Sequence, residues 1–164
     1  MASALFDVHR DVVRPEWIDD NGHLNMGYYV VAFDLATDRW LDHIGLTPSE
    51  RTRSGVTTFT LESHVNYLRE VRGEAPLRFT TRLLAFDTKR IHYFHEMYHA
   101  TEGFLAATNE LMSLHVNLST RRGGPMSADV LARLADVLSL HETRPVPPQV
   151  GRRIGLDATS STNG

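Results

Sequence analysis

The stretch that decides the fold is residues 19–34, with the sequence DDNGHLNMGYYVVAFD. Its first half is a polar loop that holds two adjacent carboxylates, Asp19 and Asp20. Its second half begins a helix, because apolar residues recur every three or four positions and form one face. The members of this face are Met26, Tyr29, Val30, Phe33, Ala36, Trp40, Leu41 and Ile44. A polar loop is therefore predicted to lead directly into a buried helix.

Both ends of this helix carry typical boundary residues. Asn25 is a favourable N-cap, because its side chain can accept a hydrogen bond from a backbone N–H group that has no partner within the helix. Gly45 suits the left-handed conformation that ends many helices, and Pro48 prevents the helix from continuing. The helix is therefore predicted to run from Met26 to Ile44.

The junction of loop and helix contains the groups that acyl transfer requires. A carboxylate, Asp19 or Asp20, can attack a carbonyl or activate water, and the first helical turn has free N–H groups for the oxyanion that forms. His23 lies beside the carboxylates, where it either contacts a substrate or holds the turn through a backbone hydrogen bond. The alternative is purely structural, since Asp, Asn and Gly together form a common turn sequence.

Length and composition indicate an ordinary globular protein. The chain has 164 residues, 41% hydrophobic and 23% charged, so a single domain is expected over residues 1–155. Residues 156–164 are mostly small and polar, which predicts a disordered tail. The net charge of -3 argues against a nucleic-acid partner, and the absence of cysteine excludes disulfides and thiolate metal sites. No signal peptide and no membrane span are recognised, so the cytoplasm is the expected location.

The remaining elements predict an α+β domain. Segments rich in β-branched and aromatic residues, bounded by turn residues, predict five strands. Their ranges are Phe6–Arg14, Val56–Val71, Leu77–Phe86, Ile91–Ala100 and Phe104–Leu118. Ser127 is a candidate N-cap for a C-terminal helix over Val130–Leu140, and Thr47–Ser54 is predicted to be a polar connector. One long helix beside an antiparallel meander suggests a curved five-stranded sheet wrapped around that helix.

The long second strand is predicted to have one apolar and one polar face. The apolar face would hold Phe59, Leu61, Val65, Tyr67 and Val71. The polar face would hold Thr58, Thr60, Glu62, His64 and Asn66. Glu62 and Asn66 are candidates for substrate contact, although a subunit interface is the preferred interpretation because the strand is long for a monomer of this size.

Residues 95–99, HEMYH, match the H-E-x-x-H pattern of zinc peptidases. That pattern requires a helix, on which both histidines face one metal ion. The surrounding aromatic residues and flanking turns predict a strand instead, in which His95 and His99 would lie about 13 Å apart. We therefore predict no metal site at these histidines.

Several stretches together resemble a known family. The motif Asp19-x-x-Gly22-His23-x-Asn25 is similar to that of acyl-CoA thioesterases with the hotdog fold, of the 4-hydroxybenzoyl-CoA thioesterase type. The flanking sequences resemble the betainyl-CoA thioesterases within that superfamily, which also occur fused to L-carnitine dehydrogenase. These flanking matches are Pro15–Asp19, Ala32–Asp38, Tyr67–Val71 and Lys89–His92. The likeness covers residues 5–155 approximately.

The resemblance implies a fold, an assembly and a catalytic group. The sheet would wrap around the long helix as in the hotdog fold, in dimers or tetramers whose active sites lie at the dimer interface. Asp19 would be the catalytic carboxylate, with Asp20 as the alternative. An amide near Met26 or Gly27 would polarise the thioester carbonyl, and His23 and Asn25 would complete the catalytic motif.

The resemblance also implies the substrate. No metal or cofactor would be needed, and coenzyme A would be part of the substrate. Its phosphates would meet the basic pairs Lys89–Arg90 and Arg121–Arg122. The trimethylammonium group of a betainyl chain is held by aromatic faces and carboxylates. Trp17 and Tyr28 lie off the apolar face of the helix and are the candidate cage. The expected reaction converts betainyl-CoA to betaine and CoA in carnitine breakdown. The alternatives are a thioesterase for another short or aromatic acyl-CoA and a non-catalytic acyl-CoA-binding protein.

Overall fold

The computed structural model describes residues 5–156 of the chain, so the predicted tail lies outside the described residues except for its first residue. The chain folds into a six-stranded antiparallel sheet with three α-helices. The elements are β1 (Phe6–Val12), α1 (Met26–His43), α2 (Pro48–Ser54), β2 (Val56–Tyr67), β3 (Pro76–Phe86), β4 (Arg90–His99), β5 (Leu105–Asn117), β6 (Arg122–Gly123) and α3 (Ala128–His141).

The strand order in the sheet is β1-β3-β4-β5-β2, with the two-residue β6 added to the end of β5. The helix α1 packs against one face, which we call the inner face, and contacts β1, β3 and β4. The opposite face is called the outer face below. The predicted architecture, a five-stranded antiparallel sheet around one long helix with a C-terminal helix, is confirmed. Its two edges are β1 and the long strand β2.

The buried face of α1 divides the core into two clusters. Near its start, Tyr29 and Phe33 pack with inner-face residues such as Phe79. Near its end, Trp40 packs with Tyr93 and with Leu134 of α3. This arrangement explains the three-four spacing of apolar residues in the sequence, because both clusters lie on the same side of the helix.

The prediction for the faces of β2 was wrong because the strand contains a β-bulge. Thr60 lies opposite Ser113 of β5 and Glu62 lies opposite Met112, so Leu61 has no partner. The extra residue reverses the alternation of side chains along the strand. Relative to the residues after the bulge, those before it therefore lie on the opposite face from the one predicted. Thr58 and Thr60 share the inner face with Ser63, Val65 and Tyr67, whereas Phe59 shares the outer face with Glu62, His64 and Asn66.

Two segment boundaries also differ from the predictions. Residues 48–54 form the short helix α2 rather than an irregular connector, with Thr47 as its N-cap through a 3.2 Å hydrogen bond from the Glu50 N–H. The strand β2 ends at Tyr67 rather than Val71, because Leu68 and the residues after it turn toward the loop that contains Asp19. The Asn25 and Ser127 caps are confirmed.

The segment that follows α3 crosses the outer face of the sheet. The buried Arg82 guanidinium donates hydrogen bonds to the carbonyls of His141, Arg144 and Pro145. Farther along, the Gly151 N–H donates to the Glu110 carboxylate at 2.7 Å. This segment therefore covers part of a sheet surface that would otherwise be open. Among residues 5–156, no helix has the length and hydropathy of a membrane span.

Candidate active site

Asp19 is held in place by hydrogen bonds within its own loop. Its Oδ1 atom accepts from the N–H groups of Asn21 at 2.9 Å and His23 at 3.3 Å. Its backbone carbonyl accepts from the Gly22 N–H at 2.9 Å, in a turn that Gly22 closes with a φ of 79°. Within the described residues, the Oδ2 atom accepts no hydrogen bond. That oxygen is therefore the one left for contact with another molecule.

A cavity of about 320 Å³ lies beside this carboxylate. Its walls include Asp19, His23, Met26, Tyr29, Tyr67 and Glu70. Asp20, in contrast, is exposed and does not line the cavity. The sequence left the choice between the two acids open, and the structure brings Asp19 alone to a concave surface.

His23 connects the loop to the segment that follows β2. Its Nε2 atom lies 2.9 Å from Oε2 of Glu70, and its backbone forms a β-bridge with Arg72. The Leu24 N–H donates to the Val71 carbonyl at 2.8 Å and extends this connection. The His23 side chain thus contacts the Glu70 carboxylate rather than the backbone, and the residue lines the cavity, so its contact with a substrate stays a prediction.

Met26, the first residue of α1, lines the same cavity and has an unpaired backbone amide. The Asn25 side chain accepts from the Gly27 N–H at 2.9 Å, so this amide is already engaged. The Met26 N–H has no hydrogen-bond partner in the part of the chain that the structure describes. Of the two amides predicted from the resemblance, the Met26 amide is thus the one free to donate, at the positive end of the helix dipole.

Two tyrosines brace this helix start. The Tyr67 hydroxyl donates to the Met26 carbonyl at 3.0 Å, and its ring meets Tyr29 edge to face with centroids 5.0 Å apart. Burial raises the pKa of both hydroxyls, and the charges of Glu70 and Asp19 add to the effect at Tyr29. Both tyrosines therefore remain neutral over the physiological pH range. Sequence reasoning did not assign Tyr67 to the site, although it belongs to one of the stretches that carry the family resemblance.

The two aromatic residues predicted as a cage lie close together but outside this cavity. The rings of Trp17 and Tyr28 stack with centroids 5.9 Å apart, and the Arg14 guanidinium lies 4.6 Å from the Trp17 ring. Trp17 is only 3% exposed, whereas Tyr28 is 36% exposed. A ligand that approaches this pair would meet Tyr28 first. Neither residue lines the cavity around Asp19.

Glu62 and Asn66 lie on the outer face, across the sheet from Asp19. Glu62 and His64 border a second cavity of about 440 Å³ together with His92 and Glu110. Within one chain, neither Glu62 nor Asn66 is brought to the Asp19 cavity.

The two basic pairs lie at the opposite end of the molecule from Asp19. Lys89 and Arg90 form the turn between β3 and β4, and Arg121 and Arg122 follow β5 at the same end of the sheet. The 18-residue helix α1 begins at the Asp19 loop and runs toward that end, over a length of about 27 Å. The two basic pairs therefore lie at the same end of the sheet, and both are far from Asp19 of the same chain.

The H-E-x-x-H residues lie on β4, as predicted. The ring nitrogens of His95 are hydrogen-bonded to Thr37 at 2.9 Å and Thr81 at 2.8 Å, so neither is free for a metal ion. Among residues 5–156, no group of three or more His, Asp or Glu side chains is placed to hold a metal.

The fold and this site agree with a match of residues 13–134 to the model of the thioesterase-like superfamily. The chain belongs to the thioesterase-like superfamily. The family resemblance drawn from the sequence is confirmed, and so is the assignment of the protein as an acyl-CoA thioester hydrolase.

Relatives of this thioesterase share most of its length. It is 42% identical over 154 residues to a betainyl-CoA thioesterase of Pseudomonas aeruginosa, covering 94% of this chain and 97% of that protein. It is 36% identical to an L-carnitine dehydrogenase/betainyl-CoA thioesterase of Agrobacterium fabrum, and the match covers 94% of this chain but 32% of that longer protein.

Solved structures agree with the fold of the thioesterase. A Staphylococcus aureus protein in complex with CoA is 32% identical, with a TM-score of 0.87 over 95% of this chain and 98% of that one. A putative thioesterase of Pseudomonas putida is 34% identical, with a TM-score of 0.81 over 94% and 99% of the two chains.

Proposed function

We propose that this thioesterase hydrolyses betainyl-CoA to betaine and CoA. The single observation that carries the proposal is that one cavity is lined both by Asp19, whose Oδ2 accepts no hydrogen bond within the described residues, and by Met26, whose backbone N–H is unpaired there. Acyl transfer requires a carboxylate or an activated water at the carbonyl carbon and a donor at the carbonyl oxygen. The substrate class is supported by relatives named betainyl-CoA thioesterase at 42% and 36% identity.

Two routes fit the geometry of Asp19. In one, Oδ2 attacks the thioester carbon, CoA leaves as a thiolate that takes up a proton, and water hydrolyses the resulting anhydride. In the other, Oδ2 removes a proton from a water molecule that attacks the same carbon, and the proton is passed to the departing thiolate. In both routes the Met26 N–H stabilises the oxyanion, while Asn25 keeps the helix start ordered. His23 holds the Asp19 loop against Glu70.

The CoA portion is proposed to extend across two copies of the chain. The edge strand β2 is 12 residues long, and Phe59 and Leu61 on it are 41% and 52% exposed. Such an edge is suited to pairing with a second copy. Antiparallel pairing about a twofold axis would place the start of one β2 beside the end of the other, near Asp19. The second copy's Arg121, whose guanidinium lies 5.8 Å from the Phe59 ring, would then approach the site.

In such a dimer, we propose that the two basic pairs have a role that they cannot have within one chain. Lys89–Arg90 and Arg121–Arg122 of one copy would contact the CoA phosphates of the site built on Asp19 of the other. Co-expression of Asp19→Asn with an Arg121→Gln/Arg122→Gln variant tests it. A mixed dimer should regain hydrolysis that neither variant shows alone. If the mixture is no more active than the sum of its parts, the arginines do not act between copies.

The catalytic assignment is tested with matched variants of the two acids. Asp19→Asn keeps the side-chain volume and should reduce hydrolysis by several orders of magnitude, because the reacting carboxylate is lost. Asp20→Asn is the control, and its turnover should stay near that of the wild type. A reversed result would exchange the roles of the two acids. Equal, near-normal turnover of both variants would contradict the mechanism.

The substrate is tested with a panel of acyl-CoAs that contains betainyl-CoA, acetyl-CoA, other short acyl chains and an aromatic acyl-CoA. Preferred turnover of betainyl-CoA supports the proposal. Preferred turnover of another member would assign the enzyme to that acyl group, and binding without turnover of any member would indicate an acyl-CoA-binding protein. We place the enzyme in the cytoplasm, where acyl-CoA substrates are available, and expect it to work without a metal or further cofactor.

A further inference from the structure

The proposed substrate places strong limits on where its charge can be recognised. In a betainyl thioester, one methylene separates the quaternary nitrogen from the carbonyl carbon. The trimethylammonium group must therefore lie beside the reacting atoms, within the cavity that contains Asp19. Because this group cannot donate a hydrogen bond, the protein can bind it only with aromatic surface and negative charge.

The Asp19 cavity contains both kinds of group. The Tyr67 side chain lines it, 46% exposed, and its contact with Tyr29 fixes the orientation of the ring. The Glu70 carboxylate lines the same cavity with 54% of its side chain exposed. Its position is fixed from two sides, by His23 at 2.9 Å and Arg72 at 3.4 Å. An oriented ring and an oriented carboxylate are therefore present within one cavity.

Among the described residues that line this cavity, Arg69 is the one arginine, and contacts outside the cavity hold its guanidinium. The Arg69 guanidinium lies 3.8 Å from the centre of the Phe104 ring and 4.0 Å from the Glu102 carboxylate. Phe104 and Glu102 line a separate cavity of about 500 Å³ and not the one beside Asp19. The Arg69 charge is thus drawn toward the neighbouring cavity. The Arg72 guanidinium does not line the Asp19 cavity and lies against one oxygen of the Glu70 carboxylate, whose other oxygen contacts His23.

The aromatic pair that the sequence suggested is less well placed for this task. Trp17 is almost completely buried beneath Arg14 and Tyr28, and neither ring of the pair lines the cavity. We infer that the ring of Tyr67 and the carboxylate of Glu70 form the subsite that recognises the quaternary ammonium group of the acyl chain. The inference rests on the proposed function and names the residues that give it specificity.

The test compares two substrates that have the same shape and differ in charge. Betainyl-CoA carries a trimethylammonium group, and 3,3-dimethylbutyryl-CoA carries a neutral tert-butyl group in its place. The measured quantity is the ratio of kcat/KM for the two substrates. General effects on catalysis cancel in this ratio, which matters because Tyr67 also braces the helix start through the Met26 carbonyl.

Two pairs of variants separate recognition from structure. Tyr67→Leu removes the ring and should lower the ratio between about threefold and thirtyfold, whereas Tyr67→Phe loses only the hydroxyl and should keep it. Glu70→Gln removes the charge, retains a hydrogen-bonding group for His23, and should also lower the ratio. Glu142→Gln is its control, since Glu142 is also exposed but follows α3 and does not line the cavity.

The outcomes distinguish this inference from the proposed function. If the wild type hydrolyses betainyl-CoA but Tyr67→Leu and Glu70→Gln leave the ratio unchanged, the assigned subsite is wrong. A ratio that falls in Tyr28→Leu and not in Tyr67→Leu would move the subsite to the Trp17–Tyr28 pair. If the wild type hydrolyses no betainyl-CoA at all, the proposed substrate itself is wrong and the subsite falls with it.

Discussion

His95 should make the stability of the fold depend on pH. The imidazole is fully buried between Phe33 and Tyr93, and hydroxyl groups of Thr37 and Thr81 occupy its two nitrogens. Burial lowers its pKa from the ordinary value of 6.5 to about 3, and the neighbouring His9 contributes in the same direction. The native protein therefore holds this histidine neutral under conditions in which an unfolded chain would protonate it.

The sign and size of the effect follow from that difference. Below pH 6.5 the unfolded state binds a proton that the native state does not, so stability is complete above this pH and is lost as the pH falls toward 3. At about pH 5, one and a half units below the ordinary value, the loss is about 2 kcal/mol.

Urea unfolding at about pH 7.5 and about pH 5 measures the effect, at a single protein concentration. The two tryptophans, 3% and 0% exposed, provide the fluorescence signal. His95→Gln retains a donor and an acceptor but cannot titrate. The variant should therefore show a pH difference in the free energy of unfolding that is smaller than in the wild type by about 2 kcal/mol. His43→Gln is the comparison variant: burial also lowers the pKa of His43, but its side chain is exposed, so the pH difference should change less than in His95→Gln.

Equal pH differences in wild type and His95→Gln would refute this reasoning. A second measurement does not depend on the folding of the variant. The ring carbon-bound protons of His95 in the wild type should keep the NMR shifts of a neutral imidazole from about pH 8 to about pH 5. A titration of these signals near pH 6 would show that the buried ring takes up a proton.

Three further predictions concern other parts of the molecule. Asn25→Ala should lower the free energy of unfolding by about 1 kcal/mol, because the Gly27 N–H loses its acceptor, while Asn25→Asp should keep most of it; urea unfolding compares the two. Arg82→Met should lower the free energy of unfolding by about 2–4 kcal/mol, because three carbonyls lose their hydrogen-bond donor. It should also make residues 142–152 accessible to limited proteolysis, and an unchanged rate of cleavage would contradict the role of Arg82. Dialysis against a strong chelator should leave turnover and Tm unchanged, and loss of stoichiometric zinc together with activity would contradict this expectation.

The sequence predicted best those features whose causes are local. The apolar spacing of α1, the Asn25 cap and the stop at Gly45 all depend on neighbouring residues, and the observed helix Met26–His43 differs from the prediction by one residue. The strand context of the H-E-x-x-H residues was also readable, because turns bound it on both sides. The helix α2 could have been recognised, since Thr47-Pro48-Ser49-Glu50 is a capping-box sequence with proline at the first helical position.

The sequence could not show features that depend on pairing between distant segments. The bulge at Leu61 exists only relative to β5, so strict alternation along β2 assigned Phe59 and Leu61 to the face of Val65. Tyr67 and Glu70 lie beside Asp19 because the end of β2 lies next to the loop. These residues are about fifty positions from Asp19 in the sequence, so their closeness appears only in the fold. The distance between the basic pairs and Asp19 could not be predicted either, because the sequence does not show at which end of the sheet a turn or loop lies.

Leu61, the unpaired residue of β2, also determines where this strand can lose a residue. Thr60 and Glu62 already face consecutive partners on β5, Ser113 and Met112. Deleting Leu61 would join two half-strands that are each in their correct register, and every other side chain of β2 would keep its face. A deletion farther from the bulge would shift the residues between it and the bulge by one position and turn their side chains to the opposite side. Leu61 is therefore the point at which this strand can lose a residue without a rearrangement of the sheet.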